Sequence, residues 1–140
     1  MGEQSRKDYE GSCACGRVRF RTAGPFGTMS HCHCTDCRKS HGAAFATYIG
    51  VARERFTLSS GAEDLSGWTT ETGTRRNFCR ACGSNITCTV PSEPGMVYVT
   101  AATFDTPLDR RPEYHIFVRS RVPWYEIRDG LPQHQAYGEE

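Results

Sequence analysis

The stretch with the most chemical potential is His31-Cys32-His33-Cys34-Thr35-Asp36-Cys37, where three thiols fall within six residues, spaced Cys-x-Cys-x-x-Cys. On extended backbone, side chains two positions apart project from one face, and a tight turn after Cys34 returns the third sulfur towards them. Three thiolates so placed suit one soft, tetrahedral ion, zinc above all. Structural zinc sites close with four ligands, whereas catalytic sites keep one position open. Cys13-Ala14-Cys15 and Cys79-Arg80-Ala81-Cys82-Gly83 supply two further pairs. Together they form the four-thiolate donor set of a closed structural zinc, with Gly83 taking the positive φ that such a knuckle requires. Cys32, Cys34 and Cys37 are then the candidate open zinc. Its alternative is a second closed site, completed by His31, His33, His41 or Cys88. His31 is read as sharing the face of Cys32 and Cys34, and His33 as pointing away. His115, in an apolar run, reads as a hydrogen-bonded core residue. Cys88 stands alone in a strand-like segment and reads as a free core cysteine. The known iron–sulfur runs have other spacings.

The rest of the chain must position these groups. Its 140 residues suffice for one domain with a real core. A composition of 37% hydrophobic and 24% charged residues is that of a soluble globular chain. No apolar run approaches membrane-span length, and the polar N-terminus lacks the apolar core of a signal peptide. A cytoplasmic location follows as an expectation. In that reducing setting eight cysteines mean metal rather than a disulfide framework. The formal net charge is +1; seven thiolates and two zinc ions would bring it to about −2. Neither value suits a nucleic-acid binder working by bulk charge. Arg75, Arg76, Arg80, Arg110, Arg111, Arg119 and Arg121 could receive a small dianionic ligand, though a solvated face is their commoner role.

Arg17-Val18-Arg19-Phe20-Arg21-Thr22 alternates as a half-buried strand does. Further strands are expected over 45–51, 56–60, 65–70, 74–79, 86–90 and 96–100, with a hairpin loop at Glu71-Thr72-Gly73. Residues 38–42 suggest one helical turn closing at Gly42. Short strands punctuated by Gly and Pro indicate a mainly β domain. Residues 1–8 are expected as an arm, 9–133 as the zinc-binding domain and 134–140 as a polar tail.

These motifs carry a resemblance. The order Cys-x-Cys, Cys-x-Cys-x-x-Cys, Cys-x-x-Cys-Gly resembles the glutathione-dependent formaldehyde-activating enzyme family, which also includes centromere protein V. The likeness extends to Gly11-Ser12-Cys13-Ala14-Cys15-Gly16, Cys34-Thr35-Asp36-Cys37-Arg38-Lys39, His115-Ile116-Phe117 and Trp124-Tyr125-Glu126-Ile127. It implies a β-tent fold of short antiparallel strands. It implies two zinc ions per chain, one structural on Cys13, Cys15, Cys79 and Cys82, one catalytic on Cys32, Cys34 and Cys37. The partners implied are a small-molecule thiol, glutathione, as co-substrate and a small aldehyde, with no nucleic acid and no membrane. The activity implied is that of a carbon–sulfur lyase. The rival reading is a non-catalytic, zinc-stapled β module that binds a protein partner.

Overall fold

Alternation is the rule that builds the strands. In Arg17–Thr22 the side chains of Val18, Phe20 and Thr22 are buried while Arg17, Arg19 and Arg21 reach solvent. The computed structural model describes residues 7–136. Its strands are β1 (Asp8–Ser12), β2 (Arg19–Ala23), β3 (Met29–Cys32), β4 (Ala46–Ala52), β5 (Phe56–Ser60), β6 (Leu65–Thr69), β7 (Arg75–Cys79), β8 (Asn85–Thr89), β9 (Met96–Thr100) and β10 (Tyr114–Ile116). The α-helix is α1 (Thr35–His41), and short 3-10 turns fill several connections. The protein is mainly β, as expected. Residues 1–6 of the expected arm and 137–140 of the expected tail lie outside the described residues.

The chain divides into two compact units: residues up to 27 with 49–109, and residues 28–48 with those from 110 on. In the first unit β1, β2 and β5 form an antiparallel sheet in that order, and β9, β8, β7 and β6 follow one another beside the latter part of β4. Tyr9, Phe20, Phe26, Phe56 and Phe104 pack ring to ring at centroid distances of 5.0–6.2 Å. Tyr9 explains why the chain is already in a strand at Asp8: its ring enters this cluster.

The second unit departs from an all-antiparallel plan. β10 pairs with β3 in parallel, setting Tyr114 beside Ser30, His115 beside His31 and Ile116 beside Cys32. Its α1 is longer than the single expected turn, for a local reason. Cys34, extended at φ −64° and ψ 156°, caps the helix by accepting the Cys37 N–H on Sγ at 3.2 Å. Gly42 closes the other end in the left-handed region and donates its N–H to Arg38 O.

Candidate metal centres

In the first unit, the turn after β1 and the turn after β7 converge. The Sγ atoms of Cys13, Cys15, Cys79 and Cys82 lie within 4.8 Å of one another. Cys13–Cys15 is 3.6 Å and Cys15–Cys79 is 3.8 Å. Tetrahedral zinc with 2.3 Å bonds sets its sulfurs about 3.8 Å apart, and these two distances match that spacing. Each knuckle is pinned by backbone bonds: Cys13 N–H to Val18 O at 3.0 Å, Cys79 N–H to Ser84 O at 2.9 Å and Gly83 N–H to Cys79 O at 2.7 Å. Gly83 sits at φ +83°, the conformation expected of it.

Ser84 joins the two knuckles, and nothing in the cysteine spacing announced it. Its hydroxyl accepts the Ala14 N–H at 2.9 Å and lies 3.3 Å from Cys82 Sγ. The Ser84 hydroxyl and backbone N–H, with the Cys15 backbone, hold the Cys82 thiol down to about 5. Cys15 is drawn down by the Arg17 backbone, but lost hydration and the neighbouring thiols push it up to about 11. Crowded sulfurs cannot all ionise until a cation joins them.

The second centre lies in the second unit. Cys32 ends β3, Cys34 caps α1 and Cys37 sits in the first turn of that helix. Their sulfurs converge within 4.8 Å, and among the described residues no fourth Cys, His, Asp or Glu joins the set. Hydrogen bonding to Cys34 and Cys37, and then its burial, push the Cys32 thiol well above the ordinary thiol range. Cation uptake here must therefore displace protons.

The candidate fourth ligands are occupied elsewhere. His41 Nε2 lies 2.9 Å from Tyr48 Oη. Cys88 is buried in β8, in register with Arg76 and Tyr98. The reading of His31 as sharing the Cys32 face is corrected by strand alternation: His31 and His33 both stack on His115, at centroid distances of 4.7 and 5.0 Å.

A hydrogen-bonded chain runs from His33 Nε2 to His115 Nδ1 at 2.8 Å, and from His115 Nε2 to Asp129 Oδ2 at 2.8 Å. His115 is thus the hydrogen-bonded core residue expected, but its Asp129 partner was not foreseen. Burial holds His33 down to about 4, with the charges of His115, His31 and Arg121 acting the same way and Asp129 opposing. Of the arginines, Arg80 lies 3.4 Å from Asp64 and Arg110 2.7 Å from Glu113, while Arg76 is buried.

The glutathione-dependent formaldehyde-activating enzyme family model matches residues 8–120. The chain belongs to that family. A Halomonas elongata relative, provisionally named a glutathione-dependent formaldehyde-activating enzyme, is 34% identical over 126 residues, covering 84% of this chain and 80% of the relative. A crystal structure of a Rhodobacter sphaeroides protein is similar at a TM-score of 0.62 and 25% identity, covering 72% of this chain and 92% of that one. The family match spans every cysteine of both centres.

Proposed function

We propose that this family member is a zinc-dependent carbon–sulfur lyase. It would bind glutathione, or a similar thiol, at the Cys32/Cys34/Cys37 centre and form or cleave a hemithioacetal with formaldehyde or a related small aldehyde. The observation that carries the reading is the three-sulfur set without a fourth protein ligand among the described residues. Zinc held there would supply an open Lewis-acid position that lowers the pKa of a thiol occupying it. Cys13, Cys15, Cys79 and Cys82 would hold a second zinc, closed and structural. In the forward direction a bond forms between the thiol sulfur and the carbonyl carbon, and the thiol proton ends on the carbonyl oxygen. The reverse breaks that carbon–sulfur bond.

The chain's own residues would fix the donors and bind the tripeptide. The Cys37 N–H to Cys34 Sγ bond, which is the α1 cap, fixes the Cys34 sulfur against the turn that carries Cys37. In the same unit a cleft of about 670 Å³ is lined by Arg121, Tyr125, Glu126, Gln133 and Gln135 among others. Its mixture of charge and amide groups suits a zwitterionic peptide thiol better than an apolar ligand.

The test is the visible spectrum of cobalt-substituted protein during glutathione addition. A saturable gain in sulfur-to-cobalt charge transfer, lost in Cys34→Ser, is expected. A spectrum that does not respond would remove the open centre from the mechanism and favour the non-catalytic, partner-binding module.

A further inference from the structure

The second unit holds another set of ligand-type side chains that neither thiolate centre uses. One nitrogen of His31, one of His115 and a carboxylate oxygen of Asp129 lie within 4.8 Å of one another. We propose that His31, His115 and Asp129 form a third metal site, for a borderline divalent cation such as Zn²⁺, Fe²⁺ or Mn²⁺, with coordination positions left for water or a small ligand.

Two imidazoles and one carboxylate are a donor set that takes borderline divalent ions of this kind, zinc included. Ligating histidines characteristically anchor their other nitrogen through a hydrogen bond that fixes ring and tautomer. Both histidines have a polar contact at Nδ1 that could serve in this way. His31 Nδ1 lies 2.7 Å from Thr47 Oγ1; with Nδ1–H donating to that hydroxyl, the second ring nitrogen offers its lone pair. His115 Nδ1 lies 2.8 Å from His33 Nε2, leaving Nε2 facing Asp129. The carboxylate is anchored as well: Asp129 Oδ1 accepts the Leu131 N–H at 3.0 Å.

The three donor atoms lie within 4.8 Å of one another, and His115 Nε2 to Asp129 Oδ2, at 2.8 Å as a hydrogen bond, is close to the roughly 3.0 Å between neighbouring donors on a six-coordinate cation with bonds of about 2.1 Å; the His31 nitrogen would draw in to complete the set. Access comes from the Asp129 side, where the carboxylate is 41% exposed, while His115 at 1% forms the fixed wall.

The proton inventory also differs from that of the thiolate centres. Without metal, His115 Nε2–H donates to Asp129, and His115 Nδ1 accepts from His33 Nε2–H. With metal on His115 Nε2, the inner bond reverses and His33 carries its proton on Nδ1, a buried nitrogen with no hydrogen-bond partner. In that exchange the two ring protons are redistributed within the His33–His115 pair. The unpaired N–H weakens the site and makes it exchangeable.

The test counts metal per chain by mass spectrometry after dialysis of the full-length, zinc-loaded protein against micromolar Zn²⁺. Wild type is set beside Asp129→Ala and Thr47→Val. Asp129 is a surface group, so Asp129→Ala should keep the wild-type circular dichroism. Wild type is expected to hold one ion more than Asp129→Ala, and Thr47→Val to bind that extra ion about 10–100-fold more weakly. Co²⁺ added to the zinc-loaded wild type should show d–d bands without sulfur charge transfer. Equal counts in wild type and Asp129→Ala, or sulfur charge transfer from the added Co²⁺, would overturn the site. His115 would then be a hydrogen-bonded bridge between Asp129 and His33. The count is a difference, so its outcome is independent of how many ions the cysteines hold.

Discussion

Cys82→Ser and Cys34→Ser each remove one sulfur, yet they should cost very different amounts. The first set joins turns far apart in sequence: Cys15 and Cys79 are 64 positions apart and their sulfurs 3.8 Å apart. Closing a loop of that length costs the unfolded chain about 4 kcal/mol, a term the metal removes. The second set spans only Cys32 to Cys37, and closing so short a loop is worth about 2 kcal/mol. Neither substitution adds a confounding cost of its own. Cys82 is exposed, so serine leaves no cavity, and serine is a good N-cap, so Cys34→Ser keeps the start of α1. Domains of this size are stable by about 5–15 kcal/mol in total. Cys82→Ser breaks the closed four-sulfur set, and with the ion lost it is expected to give up about 4 kcal/mol and about 10–15 °C in Tm, whereas Cys34→Ser should lose about 2 kcal/mol or less. Thermal and guanidinium melts with one equivalent excess of zinc measure both. Wild type in excess chelator should fall at least to the level of Cys82→Ser. Equal losses in the two variants, or a Cys82→Ser protein as stable as wild type, would refute the division into a stapling centre and a working centre.

Three more expectations follow from particular residues. His33, held at about 4 rather than 6.5, is a depressed histidine: its contribution is full above pH 6.5 and is lost as pH falls from 6.5 towards 4, to a total of about 3 kcal/mol. An NMR titration of its ring protons showing a midpoint above 6 would contradict this. Gly61 lies at φ +81°, and a Cβ there would strike the Arg17 carbonyl. Gly61→Ala should therefore cost at least about 2 kcal/mol; a denaturant midpoint equal to wild type would show that the turn relaxes freely. Cys88 stands outside both sulfur sets, so Cys88→Ala should lower stability by about 1–2 kcal/mol through lost packing without changing the metal count, and a lost ion would make it a ligand.

The two thiolate sets were legible in the sequence because metal-ligand spacing is a local property. Cys-x-Cys and Cys-x-x-Cys-Gly encode the turn that brings their own sulfurs together, whatever the fold. The strands of the first unit were legible for a similar reason: β5 and β9 follow from alternation and bounding turns alone. The failures lie where a contact spans the chain. Tyr9, in a polar stretch, packs its ring on Phe26 and Phe104, a partnership no local window contains. Ser84 serves the other knuckle through Ala14, 70 positions away. Asp129 follows Arg128 in an exposed, loop-like stretch and gains its meaning only from His115.

The placement of the histidines turns on register. β10 lies parallel to β3 with His115 opposite His31 and Ile116 opposite Cys32. Successive side chains on a strand face opposite ways, so this one pairing puts His31, His33 and His115 on a common face and Cys32 on the other. A slip of one residue would set His115 on the cysteine face and an isoleucine against the imidazoles. The hydrogen bonds from His115 N–H to Pro132 O, from His134 N–H to His115 O and from Val118 N–H to His134 O hold β10 from its far side. The segment carrying Asp129 is therefore what locks the register that makes Asp129 useful. The cysteine face of β3 and its imidazole face are kept apart by a three-residue strand pairing, and substitutions that loosen residues 132–134 should disturb both.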